Sequence, residues 1–407
     1  MVVHLGMAVV AMHLALGAPA RPDSLPPSSV PAKKSAVATS REFVGDRACR
    51  SCHQDEARLY ASTAHYRTSR LPSAQSIEGK FVPGANDLQT GNPYLHFEMR
   101  ALHGEYFESS VVELSPSPPL RHTERIDIVV GSGRKGQTYL YWKGDELFEL
   151  PASYWREKEF DGWINSPGYP DDVPRFDKPI VPRCLECHAT SFQFVPASLN
   201  RFDKMRMVLG LTCEKCHGPG SEHVALAGAK SKPKVGKSSA GKPGGICQLT
   251  SLPRERQIAL CAQCHSGAGE ETAPPLSFRP GDRIEDFLTI PVSPSGAVDV
   301  HGNQVQLLEK SQCFRRSGTM TCTTCHDVHR QQRDAAAFSR QCLSCHKAES
   351  CGEFAKIGPT ISQDCVNCHM PLQKSETLVS TTRGREIRPL VRNHRIAIYP
   401  AVAERGD

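Results

Sequence analysis

Apolar residues along this chain follow three rhythms. From Leu5 to Ala18 (LGMAVVAMHLALGA) they form a nearly continuous run of 14 residues ending in Ala18-Pro19-Ala20. The run is short of the 18 or more residues a membrane-spanning helix needs, and its small-residue end predicts a secretory signal peptide over 1–20, despite a start that carries His4 and no Lys or Arg. Residues 21–42 hold Pro22, Pro26, Pro27 and Pro31 among Ser and Ala, the composition of an extended linker. Between about 92 and 150 the period is two: YLHFEMRALHGEYFESSVVEL turns around His103-Gly104 and QTYLYWKGDELFEL around Lys143-Gly144-Asp145, which predicts antiparallel hairpins. DRACRSCHQDEARLYASTAH, beginning at Asp46, reads as a helix. Beyond 184 neither rhythm persists, and short helices with irregular chain are expected. The expected fold class is mainly α and irregular, with a small antiparallel β subdomain at about 92–150.

Composition narrows the class. With 407 residues, 39% hydrophobic and 23% charged, the chain is too apolar to be disordered throughout. No apolar run reaches spanning length, so an integral membrane protein is not expected. Residues 228–245 (GAKSKPKVGKSSAGKPGG) contain five Lys and no acid, a pattern that predicts a solvated loop.

The cysteines decide the chemistry. Fourteen of the 17 fall into seven CxxC pairs: Cys49/Cys52, Cys184/Cys187, Cys213/Cys216, Cys261/Cys264, Cys322/Cys325, Cys342/Cys345 and Cys365/Cys368. A histidine follows every pair at once: His53, His188, His217, His265, His326, His346 and His369. Random placement at these frequencies gives about 0.03 such strings in a chain of this length. Zinc ribbons also use CxxC but pair two units per metal and have no need of the His, and a disulfide scaffold has no need of it either. Two thiols that add to the two vinyl groups of one haem, with the next imidazole reaching the iron, account for every position. Seven covalently attached haem c groups are therefore expected. Covalent attachment of this kind belongs to an exported, oxidising compartment, in agreement with the N-terminal run. Of the remaining thiols, Cys313 and Cys351 are candidates for a disulfide, with Cys247 left over.

From Cys184 to His369 six strings share 186 residues, 31 per string. So little chain cannot build a side-chain core around each haem, so stacked haems are expected to be the core. The layout becomes a signal peptide (1–20), a linker (21–42), a first-haem segment with a β insert (43–183) and a six-haem region (184–400).

Each iron has a second axial position. Outside the leader and the strings stand eight histidines: His65, His96, His103, His122, His223, His301, His329 and His394. His329 and His223 follow their nearest string histidine too closely to pass round the same porphyrin, and His65 lies twelve residues beyond His53, so each suits a different haem. His301 and His394 lie in polar, turn-like surroundings. These five are the expected distal ligands. His96, His103 and His122 sit in or beside the β unit and read as ordinary hydrogen-bonding residues. Were two of them to turn inward, every iron would have two histidines.

GLTCEKCHGPGSEH, SQCFRRSGTMTCTTCHDVH, CVNCHMP, VRNHRI and FVGDRACRSCH resemble the bacterial multihaem cytochromes c related to the tetrahaem cytochrome of ammonia oxidisers, over about 43 to 400. The wider group holds hydroxylamine oxidoreductases and pentahaem nitrite reductases. The resemblance implies haems stacked in close pairs on a mostly helical scaffold, with His65, His223, His301, His329 and His394 at distal positions. No CxxCK string is present, and Arg134 and Lys135 follow the GSG turn where many similar proteins have His. No particular reaction is therefore implied.

Two functions fit. The first is an electron carrier between redox protein donors and acceptors; the second is an oxidoreductase acting on a small nitrogen or sulfur oxyanion at one open haem. Nucleic acid is not an expected partner. The formal charge of +6 is offset once seven haems add about one negative charge each when oxidised and two when reduced, so Lys and Arg serve the propionates.

Overall fold

The computed structural model describes residues 42–228, 245–267, 269–290 and 297–400. The expected signal peptide, nearly all of the linker and the lysine-rich run lie outside the described residues.

Alternating sequence produces the expected hairpins within two antiparallel sheets. The first holds Asp87–Gln89, Leu95–Leu102, Glu105–Leu114 and Ser117–Arg125 in chain order. Its central turn puts both His103 (φ 52°) and Gly104 (φ 83°) in the left-handed region, the geometry that matches a hairpin's twist. The second runs Ser69–Arg70, Ile128–Val130, Gly136–Lys143, Glu146–Glu149 and Lys178–Pro179. The hairpin Ala152–Glu157/Phe160–Asn165 joins it where Gly136 meets Trp155 and Gln137 meets Tyr154.

Successive residues of Gly136–Lys143 serve opposite faces. Tyr139 and Tyr141 pack with Leu95, Phe97, Met99, Tyr154 and Trp163 between the sheets. Leu140 joins Ile128, Leu147, Leu185, Ala189, Phe192 and Phe202 on the other face. Burying each of these side chains contributes about 1.5–3 kcal/mol. Leu185 is the second residue of the string CLECH, so this core fixes an attachment string directly to the sheet.

The expectation of a mainly α fold is corrected. Helix makes up 27% and strand 28%, and strands run from Ser69 to Leu209, well past the subdomain expected at 92–150. The physical reason is burial on both faces. In Ala152–Glu157 the first four residues, Ala-Ser-Tyr-Trp, are all buried, so the apolar/polar alternation that marks a half-exposed strand is missing. The hairpin Ala189–Phe194/Phe202–Leu209 is broken by register shifts, which also blur a period of two.

Elsewhere the elements are short. The helix expected from Asp46 is two helices, Asp46–Arg50 and Gln54–Tyr60, interrupted at the string's own His53. Later helices include Pro182–His188, Cys213–His217, Gln304–Glu309, Ala335–Cys342 and Cys365–His369, and the longest among the described residues, Arg254–His265, has 12 residues. Apolar packing is thin there: Ala259, Ala262, Ile284, Leu288 and Val305 form one small cluster. The hairpin Ser380–Thr382/Arg385–Ile387 returns to the β unit through Ile387 against Trp155 and Ile164. Among the described residues no helix is long and apolar enough to cross a membrane.

Candidate functional site

Each string is one turn of helix or a helix end. In the first, the N–H of His53 bonds the carbonyl of Cys49 at 2.9 Å; the same bond closes His326 on Cys322 (3.0 Å) and His346 on Cys342 (2.9 Å). Residues three and four apart in a turn share a face, so both thiols and the imidazole emerge on one side. No two cysteines are joined by a disulfide, the candidate pair Cys313 and Cys351 included.

Several rings are held at Nδ1. His188 meets Thr68 Oγ1 at 2.9 Å, His217 the Cys247 carbonyl at 2.9 Å, His265 Gln304 Oε1 at 3.2 Å, and His369 the Ala397 carbonyl at 2.9 Å. His394 meets the Arg392 carbonyl at 3.1 Å. A carbonyl only accepts, so Nδ1 carries the proton in His217, His369 and His394, and Nε2 keeps its lone pair. Cys247 and Ala397 grip twice, because their N–H groups also donate to the carbonyls of His217 and His369. None of these anchoring residues is marked in the sequence. All but Arg392 stand far away in the chain, and where the acceptor is a backbone carbonyl the side chain carries no signal.

The histidine rings pair selectively. His53 faces His223 at 6.3 Å between centroids, His265 faces His65 at 6.1 Å, His217 faces His329 at 6.1 Å and His326 faces His394 at 6.3 Å. Each pair joins one string histidine to one expected distal histidine, and none joins a string to its own neighbour. Burial brings His65 and His394 down to about 4, and pulls His188, His217, His265, His301 and His326 below the usual histidine range. Neutral imidazole is the form that binds iron.

The other histidines differ. His301 is exposed, its backbone N–H donates to Asp299 Oδ1 at 2.8 Å, and its ring faces no other histidine ring among the described residues. Nor do the rings of His188, His346 and His369. His96 lies 3.5 Å from Glu98, and His122 lies 3.0 Å from Glu124 and packs on Phe176. With His103 at the hairpin turn, all three stay in the four-stranded sheet rather than turning inward to an iron.

Strings adjoin through their thiols. Cys187 is pushed up chiefly by its contact with Cys264, and Cys261 by its contact with Cys322. Burial and Cys213 raise Cys49 to about 12, and burial and Cys365 raise Cys342 to about 11. Glu214, inside the third string, accepts Val44 N–H at 2.9 Å, Gly45 N–H at 2.8 Å and Gly220 N–H at 2.8 Å, which ties the first string to the third.

Exposure varies among the thiols of the strings. Cys52 and Cys345 are exposed, as is Cys184. In the first string the leading thiol, Cys49, is the one that meets another string, at Cys213, and in the sixth the leading thiol, Cys342, is raised by the charge of Cys365 in the seventh. The second thiol lies toward the outer surface, where the preceding serine hydroxyl reaches it: Ser51 Oγ is 3.8 Å from Cys52 Sγ, and Ser344 Oγ is 3.8 Å from Cys345 Sγ.

These residues fit haem c. An iron–nitrogen bond of about 2 Å, plus about 1.1 Å from nitrogen to ring centre, separates two axial imidazole centroids by about 6.2 Å. The four pairs lie at that spacing, beside paired thiols.

The fold is similar to that of a solved cytochrome. The chain matches the solved structure of outer cell wall cytochrome OcwA with a TM-score of 0.53 at 17% identity, over 89% of this chain and 81% of that one. Residues 172–218, which contain the second and third strings, match the family described as cytochrome c554 and c-prime. No curated protein matches the sequence.

Proposed function

We propose that this chain is an exported heptahaem c-type cytochrome that carries electrons between redox protein donors and acceptors. The carrying observation is the selective pairing of four string histidines with four others at 6.1–6.3 Å. On this reading the fourteen string cysteines, the exposed Cys52 and Cys345 included, hold seven haems by thioether bonds. His53, His188, His217, His265, His326, His346 and His369 are the proximal ligands; His65, His223, His329 and His394 are distal to the four paired irons, and His301 to a fifth. Residues 5–18 support export, and the resemblance in the strings supports kinship with the hydroxylamine oxidoreductase and pentahaem nitrite reductase group.

Haem c supplies a one-electron iron couple. The chain's part is to keep imidazoles neutral by burial, to fix their planes through Nδ1, and to set strings side by side, as thiol contacts do for Cys49/Cys213, Cys187/Cys264 and Cys261/Cys322. A carrier requires no further catalytic group. Reductive titration of the holoprotein without substrate should consume seven electrons per chain; a smaller number overturns the proposal.

A second reading draws on His188, His346 and His369. These three share a single unassigned histidine, His301, so an open iron for a small nitrogen or sulfur oxyanion has places to form. Substrate-dependent oxidation of the reduced protein by nitrite, hydroxylamine or sulfite favours this reading, and its absence favours the carrier.

A further inference from the structure

We propose that Gln304 is a positioning residue that sets the reduction potential of the haem held by Cys261, Cys264 and His265, an inference that rests on the haem-binding reading above. Gln304 opens the helix Gln304–Glu309, and its Nε2 donates to the Val300 carbonyl at 3.3 Å. That bond orients the amide and leaves Oε1 as the group 3.2 Å from His265 Nδ1, so the imidazole donates and its Nε2 is free for iron.

The partner of Nδ1–H governs how much electron density the ring gives the metal. A stronger acceptor makes the imidazole more anionic and favours ferric iron, which lowers the potential; removing the acceptor does the reverse. His217 and His369 lean on backbone carbonyls, which side-chain substitution leaves in place. His188 leans on a hydroxyl that can rotate. Gln304 is the oriented side-chain acceptor, and it serves a string in contact with two others, through Cys264 with Cys187 and through Cys261 with Cys322. A change of potential there alters electron passage between the strings on either side.

The test compares full-length holoprotein carrying Gln304→Glu or Gln304→Leu with the parent. Potentiometric titration followed by visible and electron paramagnetic resonance spectra should show one haem moving to lower potential with Glu and to higher potential with Leu, and the other six unchanged. A purely structural role moves both variants in the same direction, and that result, or no shift in either, overturns the proposal. Haem-peptide mass analysis runs in parallel: absence of haem on Cys261 and Cys264 in the parent overturns the underlying reading instead.

Discussion

The rings of His217 and His329 lie 17° from parallel with centroids 6.1 Å apart, although His326, three residues before His329, belongs to a different string. His326 faces His394. One short segment, Cys322 to His329, thus serves two sites and locks them together.

Substitution of His329 by Ala should therefore open a haem that is not its neighbour in sequence. The expected result is one additional carbon monoxide bound per ferrous chain, with the affected haem, located by haem-peptide and spectroscopic analysis, on Cys213/Cys216. The parent should bind no more than three, because four irons are closed. His96→Ala should leave the number unchanged, since His96 is engaged with Glu98.

Apolar packing is uneven, and this gives the second prediction. The two large clusters use residues from Leu88 to Phe202, whereas beyond Val305 the buried apolar residues are few, among them Leu307, Phe314, Ile361, Val366 and Ile387. Apoprotein made without residues 1–20 in a reducing cytoplasm should retain a protease-resistant fragment spanning about 69 to 209 and lose the segment from about 310 onward. Equal protection of both halves without haem would show that side chains alone suffice.

Glu108 lies fully buried in the β unit, with one oxygen on the Ala152 N–H and the other unpartnered. Burial pushes its carboxyl well above the usual range. The folded state therefore holds a proton that the unfolded state releases above about pH 4.3. Its contribution to stability is complete below that pH and is lost as pH rises toward its own elevated value. Chemical unfolding followed from pH 4 to 8 should show the stability of the parent falling relative to that of Glu108→Gln as pH rises; a difference between the two proteins that stays constant over this range would exclude Glu108 as a source of pH dependence.

Glu214 carries three backbone N–H groups on one buried carboxylate. Replacing it with Ala leaves those donors unsatisfied at the junction of the first and third strings. A loss of about 3 kcal/mol is expected in denaturant unfolding of the holoprotein. A change below about 0.5 kcal/mol would show that the junction is held by other contacts.

Local spacing made the strings legible, because one helical turn is all that CxxCH needs. Spacing carries no sign of which thiol faces a neighbouring string, so the exposure of Cys52 and Cys345 was not legible. His223 and His329 were read as partners of another string because they stand too close to their own, His65 because twelve residues carry it away from His53, and His394 from its polar, turn-like surroundings; the structure sets each ring beside a string histidine. The expected β unit was too small because sheets buried on both faces hide their period, as residues 152–155 show. Thr68, Gln304, Cys247 and Ala397 were invisible, since their roles depend on tertiary distance and, for the last two, on backbone atoms.

The central claim is seven haems on seven strings, and intact-mass measurement with haem-peptide mapping of exported, purified protein tests it most directly. Seven covalent haem adducts are expected, one at each of Cys49/Cys52, Cys184/Cys187, Cys213/Cys216, Cys261/Cys264, Cys322/Cys325, Cys342/Cys345 and Cys365/Cys368. A chain with zinc or disulfides at these positions, or with fewer than seven adducts after full maturation, would contradict it.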